Sequence, residues 1–324
     1  MKSLALLLGT AALLLLPQAH AQTWPDRPIR FIVPFDAGGP TDITARRFAN
    51  VVSAALKQQI IVINRVGASG IVGTDTVVKA APDGYTIVIA AQSTGVLNPF
   101  LFAKHPYDVL KDLQPITLLV RYPYFLGVST KLPINNFKDY LNLAKSRPEG
   151  LMYGSAGSGT TTNLAMKKLG ALVNLKLTEV PYKSNAQVAN AVMAGDIDSY
   201  LAGPDGMMLG IPSGRIRAIG VAAAKRAPAF PDVPTFAEQG VANFEVSSWF
   251  GVLTTAGVPM PIVNRLNEEF NKALKDPELQ KYMASISLEP VGGSAASFGE
   301  FLAVEHKTWG PVIKEIGLAG SLGK

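Results

Sequence analysis

The chain has no cysteine. That excludes disulfides, thiolate metal centres and lipid attachment through sulfur. Histidine is scarce: His20 lies in the N-terminal segment, while His105, between Lys104 and Pro106, and His306, in the last helical stretch, read as surface residues. No spacing of His, Asp and Glu suggests a metal site. Charge is thin as well, at 17% of residues, with a formal net charge of +6. No block of five like charges occurs, so a nucleic-acid groove is not expected. A modest positive field still helps to gather a small anion. Beyond the N-terminal segment no apolar run approaches the ~20 residues of a membrane-spanning helix.

What is present begins with an export signature. Lys2 precedes an apolar run from Leu4 to Leu16, then Pro17 and Ala19-His20-Ala21. A charged start, a short apolar run and a small-x-small site predict cleavage after Ala21 and a periplasmic protein beginning at Gln22. An uncleaved anchor is the alternative, although the run is short for one. Without disulfides, the exported chain must be held by its core alone. Its remaining ~300 residues suffice for one or two domains.

The stretch from Ile29 to Leu56 organises the rest. Ile29-Arg-Phe-Ile-Val-Pro-Phe35 reads as a buried strand, Asp36-Ala-Gly-Gly-Pro-Thr-Asp42 as a tight turn, and the residues from Ile43 as a helix with Thr41 and Asp42 at its cap. Strands at 60–63 and 85–90 and a helix at 71–81 follow, with Gln92-Ser93-Thr94 as a polar loop. This alternation predicts a parallel α/β sheet, with ligands beyond the carboxyl ends of its strands. Strands at 115–120 and 124–128 lead into a second region. There, 137–145 reads as a helix, 151–155 as a strand, the residues from Asn163 as a helix, 176–180 as a strand, 185–193 as a helix, and 197–201 and 216–221 as strands. An extended stretch at 246–253 returns the chain, and helices at 261–274, 277–284 and 297–316 close it.

The second turn, Gly154-Ser-Ala-Gly-Ser-Gly-Thr-Thr-Thr162, repeats the design of the first. It is not a phosphate loop, because Thr160 stands where lysine is required, nor a dinucleotide fingerprint, because Thr162 replaces the third glycine. It is not a nucleophile elbow, since neither Ser155 nor Ser158 is flanked by the two glycines. What remains is hydroxyls and amides at a helix start. Such groups bind an anion without a full opposing charge. Plain helix capping is the structural alternative. A periplasmic serine hydrolase is the alternative chemistry, which the scarcity of histidine counts against.

Further motifs give these turns a context. Trp24-Pro-Asp-Arg-Pro-Ile-Arg-Phe-Ile-Val-Pro-Phe35 with Gly38-Gly-Pro-Thr-Asp42 resembles the opening of the Bug-type, TctC-like receptors of tripartite tricarboxylate transporters. Asn64-Arg65 with Gly67 and Gly70, Pro82-Asp-Gly-Tyr85, Ser155-Ala-Gly-Ser-Gly-Thr160, Pro181-Tyr-Lys183, Pro231-Asp-Val-Pro-Thr235 and Trp249 follow in the family's order. The resemblance spans essentially the whole mature chain. It implies an α/β fold of the periplasmic binding protein type II kind, with two doubly wound parallel-sheet lobes joined by two crossover strands. One lobe would comprise 22–123 and 245–324, the other 124–244. It also implies a monomeric, non-catalytic receptor without cofactors, which closes on a small organic acid, partly through ordered water. The receptor would hand the acid to a permease of one large and one small subunit, or else report it to a sensor. By match to the motifs, the first wall would comprise Phe35, Asp36, Gly39, Thr41, Asp42, Ser69, Gln92, Ser93 and Thr94. The facing wall would comprise Ser155, Gly157, Thr160, Thr161, Tyr182, Lys183 and Asp205.

Three positions depart from the family pattern: Asp36-Ala37 where a small residue and proline are usual, Asn163 for histidine, and Ser184 for glycine. A carboxylate beside an anion site repels a second anion. Asp36 therefore either faces solvent or pairs with a cationic, amide or hydroxyl group of the ligand. On the second account, Asp36→Ala changes selectivity between amino acids and plain dicarboxylates in a binding panel; unchanged selectivity removes the idea.

Overall fold

The computed structural model describes residues 24–157, 160–182, 184–315 and 317–323. The expected signal peptide and Lys183 lie outside the described residues. The chain forms β1 (Ile29–Val33), α1 (Pro40–Leu56), β2 (Ile60–Asn64), α2 (Ile71–Val78) and β3 (Thr86–Ala91). These give way to a π-helical turn (Ser93–Leu97) and two short helices, α3 (Asn98–Leu101) and α4 (Val109–Asp112). Next come β4 (Leu113–Pro123), β5 (Phe125–Ser129), α5 (Phe137–Ser146), β6 (Leu151–Ser155), α6 (Thr161–Leu172), β7 (Leu177–Pro181), α7 (Asn185–Ala194), β8 (Ser199–Ala202), α8 (Pro204–Met208) and β9 (Ile216–Val221). The chain ends with β10 (Ser247–Thr255), α9 (Met260–Ala273), α10 (Pro277–Ser285), β11 (Glu289–Pro290) and α11 (Ala295–Glu315).

Two mixed sheets result. The first runs β11-β4-β10-β3-β1-β2 and the second β7-β6-β8-β5-β9. The expected parallel winding is present in β3-β1-β2 and in β7-β6-β8, and antiparallel strands complete each sheet. All six residues of β3 are buried, as expected for a strand covered on both faces. Alternation divides them: Ile87 and Ile89 join Phe31 and Val33 in one core, while Val88 and Ala90 join Ile32 in another. On the first face, Phe270 of α9 packs edge-on against Phe31 and also meets Phe48 of α1. On the other, Trp249 of β10 meets Phe298 and Phe301 of α11 edge-on.

The chain passes between the sheets at two places, tied to each other. Tyr124 N–H donates to Val246 O at 3.1 Å, Val246 N–H to Ala222 O at 2.9 Å, and Ala222 N–H to Tyr124 O at 2.8 Å. The strand expected at 115–120 extends through Pro123. Its neighbour β11 covers only Val120 and Arg121, so the Pro115 end lies at a sheet edge, where proline's missing N–H costs no ladder bond. The polar loop expected at Gln92-Ser93-Thr94 is instead helical. Thr94 Oγ accepts from Ala91 N–H at 3.1 Å and donates to Ala91 O at 3.2 Å, and Val96 and Leu97 are buried beneath it.

Gly73 shows how closely α2 rests on the backbone leaving β1. A Cβ there would lie 2.6 Å from Arg65 O and 2.8 Å from Pro34 Cα. Backbone atoms cannot give way as a side chain does, so Gly73→Ala is expected to destabilise by about 1–3 kcal/mol, read as a lower urea midpoint at unchanged m-value.

Candidate functional site

The first wall is built where β1, β2 and β3 end side by side. Asp42 folds its turn. The carboxylate is 2% exposed; one oxygen accepts from Gly38 N–H and Arg46 Nε, both at 2.9 Å, and the other from Asn64 Nδ2 at 2.9 Å. Asn64 Nδ2 also reaches Phe35 O at 3.1 Å. Burial alone pushes the Asp42 carboxyl up; the bonds from Arg46, Gly38 and Asn64 outweigh it and hold the group below its ordinary range. The helix does not start as expected from the sequence. It begins at Pro40 with Gly39 as N-cap and no side-chain cap, so Thr41 and Asp42 are not capping residues. The N–H groups of Thr41 and Asp42 belong to the first helical turn, which has no partner within its own helix. Phe35 and Gly39 are half-buried, Thr41 is buried, and Asp36 is exposed.

The neighbouring loops lock onto this turn. Gly67, Ala68, Ser69 and Gly70 all have positive φ, of 141°, 46°, 53° and 88°. Asn98 Nδ2 holds Ser69 O at 3.0 Å. A Cβ on Gly70 would strike Thr94 Cγ2 at 2.5 Å and crowd Pro34. Here only glycine lets the three segments meet. Ser69 is exposed, Ser93 half-buried and Thr94 buried.

The facing wall is built the same way, at the ends of β6, β7 and β8. Ser155 Oγ is buried, donates to Glu179 Oε1 at 2.6 Å and accepts from Gly157 N–H at 3.2 Å. Tyr182 N–H donates to Ser155 O at 2.8 Å. Thr160, the N-cap of α6, accepts from Asn163 N–H at 3.4 Å and donates to Gly157 O at 2.9 Å. The helix thus starts two residues before the expected Asn163, a buried residue that donates to the Tyr153 hydroxyl at 3.0 Å. The N–H groups of Thr161 and Thr162 lie in this first turn. Asp205 opens α8 beyond β8. Burial raises its pKa to about 6, opposed by its own N–H and that of Gly206. Burial also raises Tyr122, Tyr124 and Tyr200, and the charge of Asp205 adds to each.

The walls meet. Thr161 Oγ donates to Gln92 Oε1 at 3.2 Å, joining a residue just past β3 to one in the second turn. Leu164 of α6 packs in the same core as Ile32, Val96 and Trp249, and the Tyr124 hydroxyl lies within reach of Ser248 and Thr161. The carboxyl edges of the two sheets therefore face each other. Nothing in the local sequence pattern announced Tyr124, Ser248 or Leu164 as part of this junction.

The arrangement suits holding rather than cleaving. The Ser155 hydroxyl donates its hydrogen bond to Glu179. His105 and His306 are half-buried, not surface residues as expected, and each spends a ring nitrogen on a backbone carbonyl, of Tyr107 at 2.6 Å and Gly95 at 2.8 Å. Among the described residues no three His, Cys, Asp or Glu side chains gather to hold a metal.

The sequence matches the profile of the tripartite tricarboxylate transporter family receptor, TctC, over residues 44–318. Protein BugT of Bordetella pertussis is 32% identical over 302 residues, which is 92% of this chain and 91% of BugT. The solved structure of R. palustris Rpa4515 with adipate superposes with a TM-score of 0.86 at 31% identity, over 91% of this chain and 99% of that one. MatC (Rpa3494) from Rhodopseudomonas palustris with bound malate gives 0.82 at 28% identity, over 90% and 100%.

Asp205 carries a testable pH signature. Its folded pKa lies above the ordinary value, so the native state holds the proton more tightly than the unfolded chain does. Stability therefore falls as pH rises from about 4 through 6. Asp205→Asn removes that loss: the variant should gain roughly 1–3 kcal/mol at about pH 7.5 and nothing near pH 4, measured by urea unfolding across the range.

Proposed function

The chain belongs to the tripartite tricarboxylate transporter receptor family, and from that premise we propose that it captures a small organic acid between two lobes and delivers it to a tripartite membrane permease. The family is one of solute-binding receptors, not of enzymes. Among the described residues no helix is long and apolar enough to cross a membrane. The receptor works in the periplasm as a monomer, after cleavage behind Ala21, and the permease supplies one large and one small subunit.

The observation that carries this reading is the Thr161–Gln92 bond, which sets two uncapped or lightly capped helix starts at opposed sheet edges. One lobe comprises 22–123 and 245–324, the other 124–244, with the joint at Tyr124, Ala222 and Val246. A ligand carboxylate takes N–H groups of Thr41 and Asp42 from one lobe and of Thr161 and Thr162 from the other. The positive ends of two helix dipoles face it, and no buried cation is needed. Phe35, Gly39, Ser69, Ser93, Gly157, Thr160 and Tyr182 shape the walls. Closure is a population shift toward the ligand-bound form. Relatives support the ligand class: Rpa4515 was solved with adipate and MatC with malate.

A melting screen over mono-, di- and tricarboxylates and amino acids tests the proposal. A true ligand at 100 times its dissociation constant stabilises by ~2.7 kcal/mol and is recovered intact. No stabilisation by any carboxylate overturns the reading.

A further inference from the structure

The C-terminal helix α11 reaches the site from outside both turns. Two adjacent side chains on it grip the segment that follows β3. Glu305 Oε2 accepts from Gln92 Nε2 at 3.2 Å. His306 Nε2 bonds Gly95 O at 2.8 Å, and its ring lies 5.5 Å from that of Phe100. Gln92 is 2% exposed, so its amide has little room and must satisfy both ends within the protein.

A side-chain amide is asymmetric: its NH₂ donates and its carbonyl oxygen accepts, whereas a carboxylate only accepts. Glu305 therefore dictates which way Gln92 faces. The NH₂ turns to Glu305, and the carbonyl oxygen turns across the junction to Thr161 Oγ, 3.2 Å away. The Thr161 hydroxyl has one proton, and this orientation directs it to Gln92. The hydroxyl is then committed to the other lobe, and a bound anion is left the N–H groups of the helix start.

We propose that Glu305 is a positioning residue: by orienting the Gln92 amide it sets a latch, Glu305–Gln92–Thr161, that holds the two lobes together. The proposal rests on the two-lobe receptor reading above, and its consequence is thermodynamic. A latch closed without ligand raises the population of the binding-competent form and so strengthens apparent affinity.

The absence of cysteine makes the test clean. Lys138→Cys and Lys281→Cys, at exposed positions belonging to the two different sheets' helices, take a spin label each, and pulsed distance measurement reads the lobe separation of the ligand-free protein. Glu305→Ala should move the population toward longer separations, changing the ratio of separated to closed molecules by about three- to tenfold. Glu305→Gln, whose carbonyl can still accept from Gln92, should restore the distribution at least in part. Thr161→Val should reproduce the Glu305→Ala shift, and the double variant should add nothing to it, because both changes open the same chain of bonds. A purely structural role for Glu305 would lower the melting point and leave the distances alone. Distances unchanged in Glu305→Ala, or in Thr161→Val should Glu305→Ala not fold, overturn the latch; so do shifts that add. The readout needs no ligand. A wild-type protein that neither adipate nor malate stabilises counts against the carboxylate class while the latch is still judged on its own distances.

Discussion

A ring of three backbone hydrogen bonds, among Tyr124, Ala222 and Val246, fixes how the two sheets stand to each other. Everything at the candidate site depends on it. It joins the two passages of the chain between the sheets, and the Thr161–Gln92 bond then links their carboxyl edges. It is made of backbone groups, so side-chain variation leaves it intact. The tyrosines around it, Tyr122, Tyr124 and Tyr200, are buried with hydroxyls that find partners nearby, which keeps this joint both packed and polar.

The electrostatics of the first turn centre on one carboxylate, answered by a guanidinium and two N–H donors. The one buried carboxylate of the first turn, Asp42, is neutralised from within its own lobe by Arg46, Gly38 and Asn64, so it shapes the turn without repelling an anion. Asp205 is different: no cation answers it among the causes of its shift, and desolvation pushes its pKa up to about 6 against the N–H groups of Asp205 and Gly206.

The sequence showed most of this architecture because its informative stretches are local. β6 and β9 match their expected bounds residue for residue, since Leu151–Ser155 and Ile216–Val221 are short apolar runs with clear stops. The second turn was legible from its own composition. What stayed hidden depends on partners far along the chain. A π-helical turn has no distinctive period, so Gln92 to Thr94 read as loop. Polar residues next to a helix start read as caps, yet Asp42 turned out to brace the loop before it, because Arg46 and Asn64 come to meet it. His306 read as a surface residue because Gly95 O lies 211 residues away, and His105 because a contact with Tyr107 O two residues on leaves no mark on the pattern. Glu305 could be read only as one more charge on a long helix.

The first sheet draws its strands from both ends of the chain. β3 is enclosed only when β10 arrives on its open side, and Thr254 Oγ then reaches back over 168 residues to Thr86 O at 3.0 Å. During synthesis, therefore, the early strands must wait exposed while the whole second sheet is made, and the polypeptide reaches a finished shape only near its end. Long-range closure of this kind slows folding. A polypeptide that stays unfinished for most of its synthesis remains loose enough to be threaded elsewhere before it sets.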